Sequence, residues 1–231
     1  MDPAAARVLD AQVAGCAAAH QRLLATLDAA IDGGGRPALD DAACRSPSRL
    51  PGWSRGHLLT HLARNAESHA RMFDAASRGE VSEQYPGGAP ARAAAIESGA
   101  GRGGRELVAD VRATIWALEG AWATATADTW AGHGVKSHAD GGRVAIADLV
   151  AMRWRETEVH LADLDLGPTW RDWSDDFVRM DVALMTARWR SRRPMGMTEL
   201  PQEALRLAPA ERLAWLLGRL DVDGLAAPEP L

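Results

Sequence analysis

Apolar residues recur at helical spacing in four long stretches of the chain. In the first, from about Ala4 to Ile31, Val8, Val13, Leu23, Leu24, Leu27 and Ile31 predict a helix stopped by Gly33, Gly34 and Gly35. Ser54 stands at an N-cap position ahead of HLLTHLARNAESHARMFDAASRG and predicts a second helix from about Arg55 to Ser77. The third, about Gly104 to Ala125, carries Leu107, Val108, Val111, Ile115, Leu118 and Trp122 on one side; the fourth runs from about Ile146 to Leu164. Glycine-rich EQYPGGAPARAAAIESGAGRGGR reads as a structured connection with a short helix in its APARAAAIE portion. TWAGHGVKSHADGGRVAIA predicts two short strands in a hairpin around Asp140, Gly141 and Gly142.

The expected fold is therefore mainly α: a four-helix bundle over residues 1–167, a type of core in which facing helices build metal and cofactor sites. Beyond Gly167 and Pro168 the pattern changes to a Trp-rich segment, a helix from about Ser174 to Arg190, a break at RSRRPMGMTELP and a last helix from about Pro209 to Leu220. Residues 168–231 read as a short, mostly helical C-terminal appendage ending in a frayed AAPEPL.

Charge narrows the partners. With 26 basic and 31 acidic residues among 231, a net charge of −5 provides no overall basic field for nucleic acid or an anionic membrane. The first twenty residues are interrupted by Arg7, Asp10 and Gln12 and fit neither a signal peptide nor a membrane span. Cys16 and Cys44 match no disulfide framework, which suits a reducing cytoplasm, and no motif activates either as a nucleophile. No GxSxG elbow is present, and no strand precedes the glycine cluster at 99–104, so hydrolase and dinucleotide-binding motifs are both lacking.

Two histidine pairings remain. His57 and His61 share one face of the second helix, without the Glu that an HExxH protease needs. Glu156 and His160 share a face of the fourth helix, and together with an imidazole from the second they make a His2Glu set with an open coordination position. The competing explanation is a solvated face with Arg153 and Arg155 as ion-pair partners, and spacing leaves both open. Asp163 is placed to orient a ring, Asn65 to hydrogen-bond a cofactor or substrate, and His69 reads as a partly exposed helix residue.

In order along the chain, LPGWSRGHLLTHLARNA, EQYPGGAPARAAAIESGAGR and MRWRETEVHLADLDLG resemble the mycothiol-dependent maleylpyruvate isomerase family of DinB-like metal-binding bundles, over about residues 48–167. The resemblance implies His61, Glu156 and His160 as ligands of a divalent metal, zinc first, with His57 outside the set as part of an RxH element. It implies mycothiol, the principal small thiol of actinobacteria, as thiol cofactor, in keeping with an Arg-rich composition that suggests a GC-rich bacterial genome and in which Lys136 is the sole lysine. The implied reaction is cis–trans isomerisation: the metal-held thiolate adds to a double bond, the bond rotates, and the thiolate leaves. Its partners are a small thiol and a small electrophile. A mycothiol S-transferase, a hydrolase using metal-activated water and a non-catalytic metal-binding sensor or stress protein are the alternatives. AWLLGRLDVDGL is similar to the family's closing helix, which makes Arg219 the catalytic arginine that holds a substrate carboxylate; a surface position favoured by the helix dipole is the competing explanation. Better-known isomerases carry a longer α/β region before that helix, so residues 168–231 are expected to be an abbreviated version of it.

Overall fold

The computed structural model describes residues 2–32, 38–136, 142–192, 194–196 and 198–228. By its contacts the chain divides into two compact units, Met1–Gly167 and Pro168–Leu231.

The first unit is built on four long helices: α1 (Pro3–Ile31), α3 (Arg55–Ser77), α5 (Gly104–Thr124) and α7 (Asp148–Asp163). Asp2 caps α1 by accepting from the Ala4 and Ala5 amides, while Ser54 caps α3 by accepting from the His57 amide, which explains why both starts are legible in the sequence. The proposed glycine stop of α1 lies outside the described residues. α3 packs against α5 and α7, and α1 against α7 and α5. Leu23 and Leu27 of α1, Leu58 and Leu62 of α3, Val111 of α5 and Leu161 of α7 meet in one buried cluster. Gly15 permits the close approach of α1 to α7, since a Cβ there would lie 2.2 Å from the Trp154 ring.

Shorter elements close the ends: α2 (Asp41–Arg45), α4 (Gly88–Gly99), α6 (Ala127–Ala131) and a two-stranded antiparallel ribbon of β1 (His133–Val135) and β2 (Arg143–Ala145), in register His133 with Ala145. The ribbon is the expected hairpin; Asp140 and Gly141 of its turn lie outside the described residues. α4 spans more than the expected APARAAAIE, because Gly99 and Gly56 let it settle on α3: Cβ atoms there would lie 2.5 Å from the Thr60 side chain and 2.1 Å from the Ala100 carbonyl.

The second unit contains a 3-10 turn (Trp170–Asp172), α8 (Asp175–Arg190), α9 (Gln202–Arg206) and α10 (Pro209–Leu216), with α10 packed on α8 and on the turn. Trp170, Trp173 and Trp215 are buried here as core and anchors. α10 ends four residues earlier than its pattern suggests because Gly218 turns into the left-handed region at φ 68°. No described helix is long and apolar enough to cross a membrane.

Candidate metal centre

α3 and α7 run antiparallel, which brings the start of one beside the end of the other. Buried Arg55, the first residue of α3, fastens this end: its Nε donates to the Leu164 carbonyl at 2.8 Å, just past the last turn of α7. His61 therefore faces Glu156 and His160. His61 Nε2 lies 2.7 Å from Glu156 Oε2, His160 Nε2 lies 3.3 Å from the same oxygen, and the two rings meet edge to face at 5.0 Å. One candidate ligand atom from each residue falls within 4.8 Å of the others.

Hydrogen bonds fix how the rings present themselves. His160 Nδ1 donates to Asp163 Oδ2 at 2.9 Å, the carboxylate-to-histidine brace common behind metal ligands. His61 differs. Its Nδ1 lies 3.1 Å from Nη2 of Arg92 on α4, and a guanidinium can only donate, so Nδ1 accepts and the ring proton sits on Nε2, donated to Glu156. The Trp53 indole packs against the His61 ring, edge to face at 5.5 Å.

The electrostatics follow the same contacts. Burial would raise the Glu156 carboxyl, but His61 and His160 outweigh it and hold it well below the usual carboxylate range. Burial lowers His61 despite Glu156, whereas at His160 the opposing hydrogen bonds from Asp163 and Glu156 win and raise it. Two imidazole nitrogens and an ionised carboxylate converging on one point form a donor set that suits a borderline divalent ion such as zinc.

One turn along lies a second polar layer that the sequence gives no reason to expect. Arg153 of α7 is fully buried. Its Nη1 donates to the Leu62 carbonyl and to Asn65 Oδ1 on α3, both at 2.9 Å, and its Nε donates to His20 Nε2 on α1 at 3.0 Å. His20 must accept there, so its proton is on Nδ1 and goes to Glu119 Oε1 on α5 at 2.8 Å. One network thus joins all four long helices.

The other expected residues fall as follows. Asn65 Oδ1 accepts from Arg153. His57 stands apart from the triad: it completes the α3 capping box with Ser54 and pairs with Glu97 at 3.1 Å. His69, expected to be partly exposed, is fully buried, because positions 61, 65 and 69 lie on one inward stripe of α3. Arg153 is a core residue and not the surface ion-pair partner that spacing allowed. Cys16 and Cys44 are buried free thiols, and burial pushes Cys44 up to about 11. Arg219 lies in the second unit just beyond α10, with its Nη1 donating to the Leu217 carbonyl.

Comparison with known proteins agrees with this architecture. A family model described as the mycothiol maleylpyruvate isomerase N-terminal domain matches residues 34–165. The crystal structure of the mycothiol-dependent maleylpyruvate isomerase superposes with a TM-score of 0.80 at 22% identity, covering 96% of this chain and 97% of that one. A histidine-to-alanine mutant of that enzyme gives 0.80 at 20%, with the same coverage. No curated protein matches the chain by sequence.

Proposed function

The chain belongs to the family of the mycothiol maleylpyruvate isomerase N-terminal domain, and from that membership and the convergence of His61, Glu156 and His160 we propose that it is a mycothiol-dependent metalloenzyme of the maleylpyruvate isomerase type, with those three residues as its metal ligands. The convergence is the observation that carries the reading: one potential ligand atom from each of three residues on two helices lies within 4.8 Å of the others, with one ring already braced by Asp163. A divalent ion held by this set, zinc first, supplies a Lewis-acid position that favours the thiolate of mycothiol near neutral pH.

The chain's own residues supply the rest. Asp163 keeps the His160 proton on Nδ1 and so leaves Nε2 to face the triad. Trp53 covers the His61 ring and keeps water from that side. Attack of such a thiol on an activated cis double bond would develop negative charge on the substrate, which permanent cations of the chain would stabilise. Arg92, on the rim of the triad, is one such cation. Reversible addition of that thiol would supply the bond rotation a cis–trans isomerisation needs, with no net change in atoms. Capture of the adduct before expulsion would make the same site a thiol S-transferase.

The test is to purify the protein without chelator, quantify its metal, exchange it for cobalt and titrate mycothiol. A thiolate-to-cobalt charge-transfer band that is absent from His160→Ala supports the proposal, and turnover of a cis-enoyl acid then separates isomerase from transferase by its product. One equivalent of metal without such a band overturns the thiol-dependent reading.

A further inference from the structure

The arginine layer lies immediately behind the triad and uses the same two helices. Leu62, whose carbonyl accepts from Arg153, is the neighbour of His61, and Asn65 is one turn further on; Arg153 itself precedes Glu156 by less than one turn. With Arg55 tying the start of α3 to the end of α7, the triad is bracketed by two guanidinium clamps that run in opposite directions, one from α3 to α7 and one back.

A fully buried guanidinium is a costly way to fill a core. None of its hydrogen bonds among the described residues goes to a carboxylate: its acceptors are a backbone carbonyl, an amide oxygen and a neutral imidazole. An apolar side chain of similar size would pack this space without that cost. What it would not supply is direction. Three N–H groups in a rigid plane fix α3 and α1 at set angles to α7, whereas apolar packing tolerates sliding.

We propose that Arg153 is a positioning residue for the triad: its guanidinium sets α3 against α7 and thereby holds the His61 imidazole in register with Glu156 and His160. This rests on the reading of those three as metal ligands. His20 and Glu119 extend the clamp, since His20 can accept from Arg153 only while its own proton is held on Nδ1 by Glu119.

The test is cobalt titration of the metal-stripped protein, following the visible d–d bands, beside thermal melts of the same samples. Failure of wild type to bind cobalt would sink the ligand assignment and, with it, this proposal. Given binding by wild type, Arg153→Lys, which keeps the charge and loses the fork, is expected to weaken cobalt affinity about 10- to 100-fold, the range for groups that orient ligands, and to lower band intensity as His61 falls out of register. Val111→Ala, a core truncation on α5, serves as the stability control and should melt lower with unchanged affinity and spectrum. Should Arg153→Lys not fold, Asn65→Leu and Asn65→Asp replace it: removing the acceptor should weaken binding several-fold, and restoring an oxygen at the same place should recover the spectrum. Variants that melt lower yet bind cobalt with wild-type affinity and spectrum would show that Arg153 only packs, and would overturn the proposal while leaving the metal assignment intact.

Discussion

The triad and the arginine layer are adjacent turns of the same bundle, sharing α3 and α7, and they differ in how their polar atoms are used. In the arginine layer donors meet acceptors in one direction, from Arg153 to Leu62, Asn65 and His20 and from His20 to Glu119. In the triad, two Nε2 atoms aim at a single carboxylate oxygen, and only the ring nitrogens facing away have separate partners. A cluster whose donors are matched to separate acceptors, with Arg153 Nη2 the one guanidinium nitrogen left unmatched among the described residues, holds structure. A cluster whose potential ligand atoms converge on one point has chemistry to offer a cation once the His61 proton leaves Nε2.

If that difference is real, removing one carboxylate should affect the two properties unequally. Glu156→Ala is expected to cost at least ~100-fold in cobalt affinity, more than the loss of an outer brace. The metal-free protein should melt within about 3 °C of wild type, the shift that ~1 kcal/mol gives in a chain of this size. Calorimetry with and without cobalt measures both. A large drop in the metal-free melting temperature would mean that the triad is a structural ion-pair cluster and would erase the contrast.

Acid should strike the arginine layer first. His20 has to be neutral to accept from Arg153, and burial drops it to about 4, with Arg153 adding to the shift; burial drops His69 to about 3. Both are neutral in the fold, while an unfolded histidine takes up a proton near 6.5, so the unfolded state binds more protons below that pH. The contribution of these two is complete above 6.5 and is lost as pH falls toward their folded values, at about 1.4 kcal/mol per pH unit for each. Between pH 6 and 5, urea unfolding of His20→Gln should show a slope against pH smaller than that of wild type by that amount. Equal slopes would mean that His20 carries both protons in the fold and cannot be the acceptor drawn for it.

What the sequence disclosed follows the same division. α3 was readable at both ends because Ser54 caps it and its apolar period is regular, and α7 was displaced by two residues because Ile146 and Ala147 form a turn ahead of it. Glu156 and His160 announced themselves by spacing on one helix, and the ordered motifs joined them to His61. α2, α6 and α9 are five residues each, too short for any period to show. The arginine layer had no signal, because its partners stand 133 and 88 residues from Arg153 and no spacing within a helix links them. Arg92 was hidden likewise: it falls in the short helix expected for APARAAAIE, but it stands 31 residues from the ring it touches and no spacing links the two.

Arg92 also offers the smallest and most discriminating effect. Behind His160 stands an acceptor, Asp163; behind His61 stands a donor. A neutral imidazole that gives its Nε2 lone pair to a cation carries its proton on Nδ1. That proton would point at a guanidinium, which can only donate and is itself positive. Asp163 therefore favours cation binding while Arg92 opposes it, and the two histidines are unequally prepared. Arg92→Ala should accordingly tighten cobalt binding by about fivefold, about 1 kcal/mol, against the usual sense of mutations beside a metal site. Arg92 also lines an open cavity of about 330 Å³ with Arg64, Arg71 and Tyr85, so its side chain has room to leave the ring. Titration of Arg92→Ala beside Asp163→Asn measures the asymmetry directly, with tightening expected in the first and weakening in the second. Weakening in both would mean that Arg92 supports His61 from a different position once the cation is bound, and that the two sides of the triad are equivalent after all.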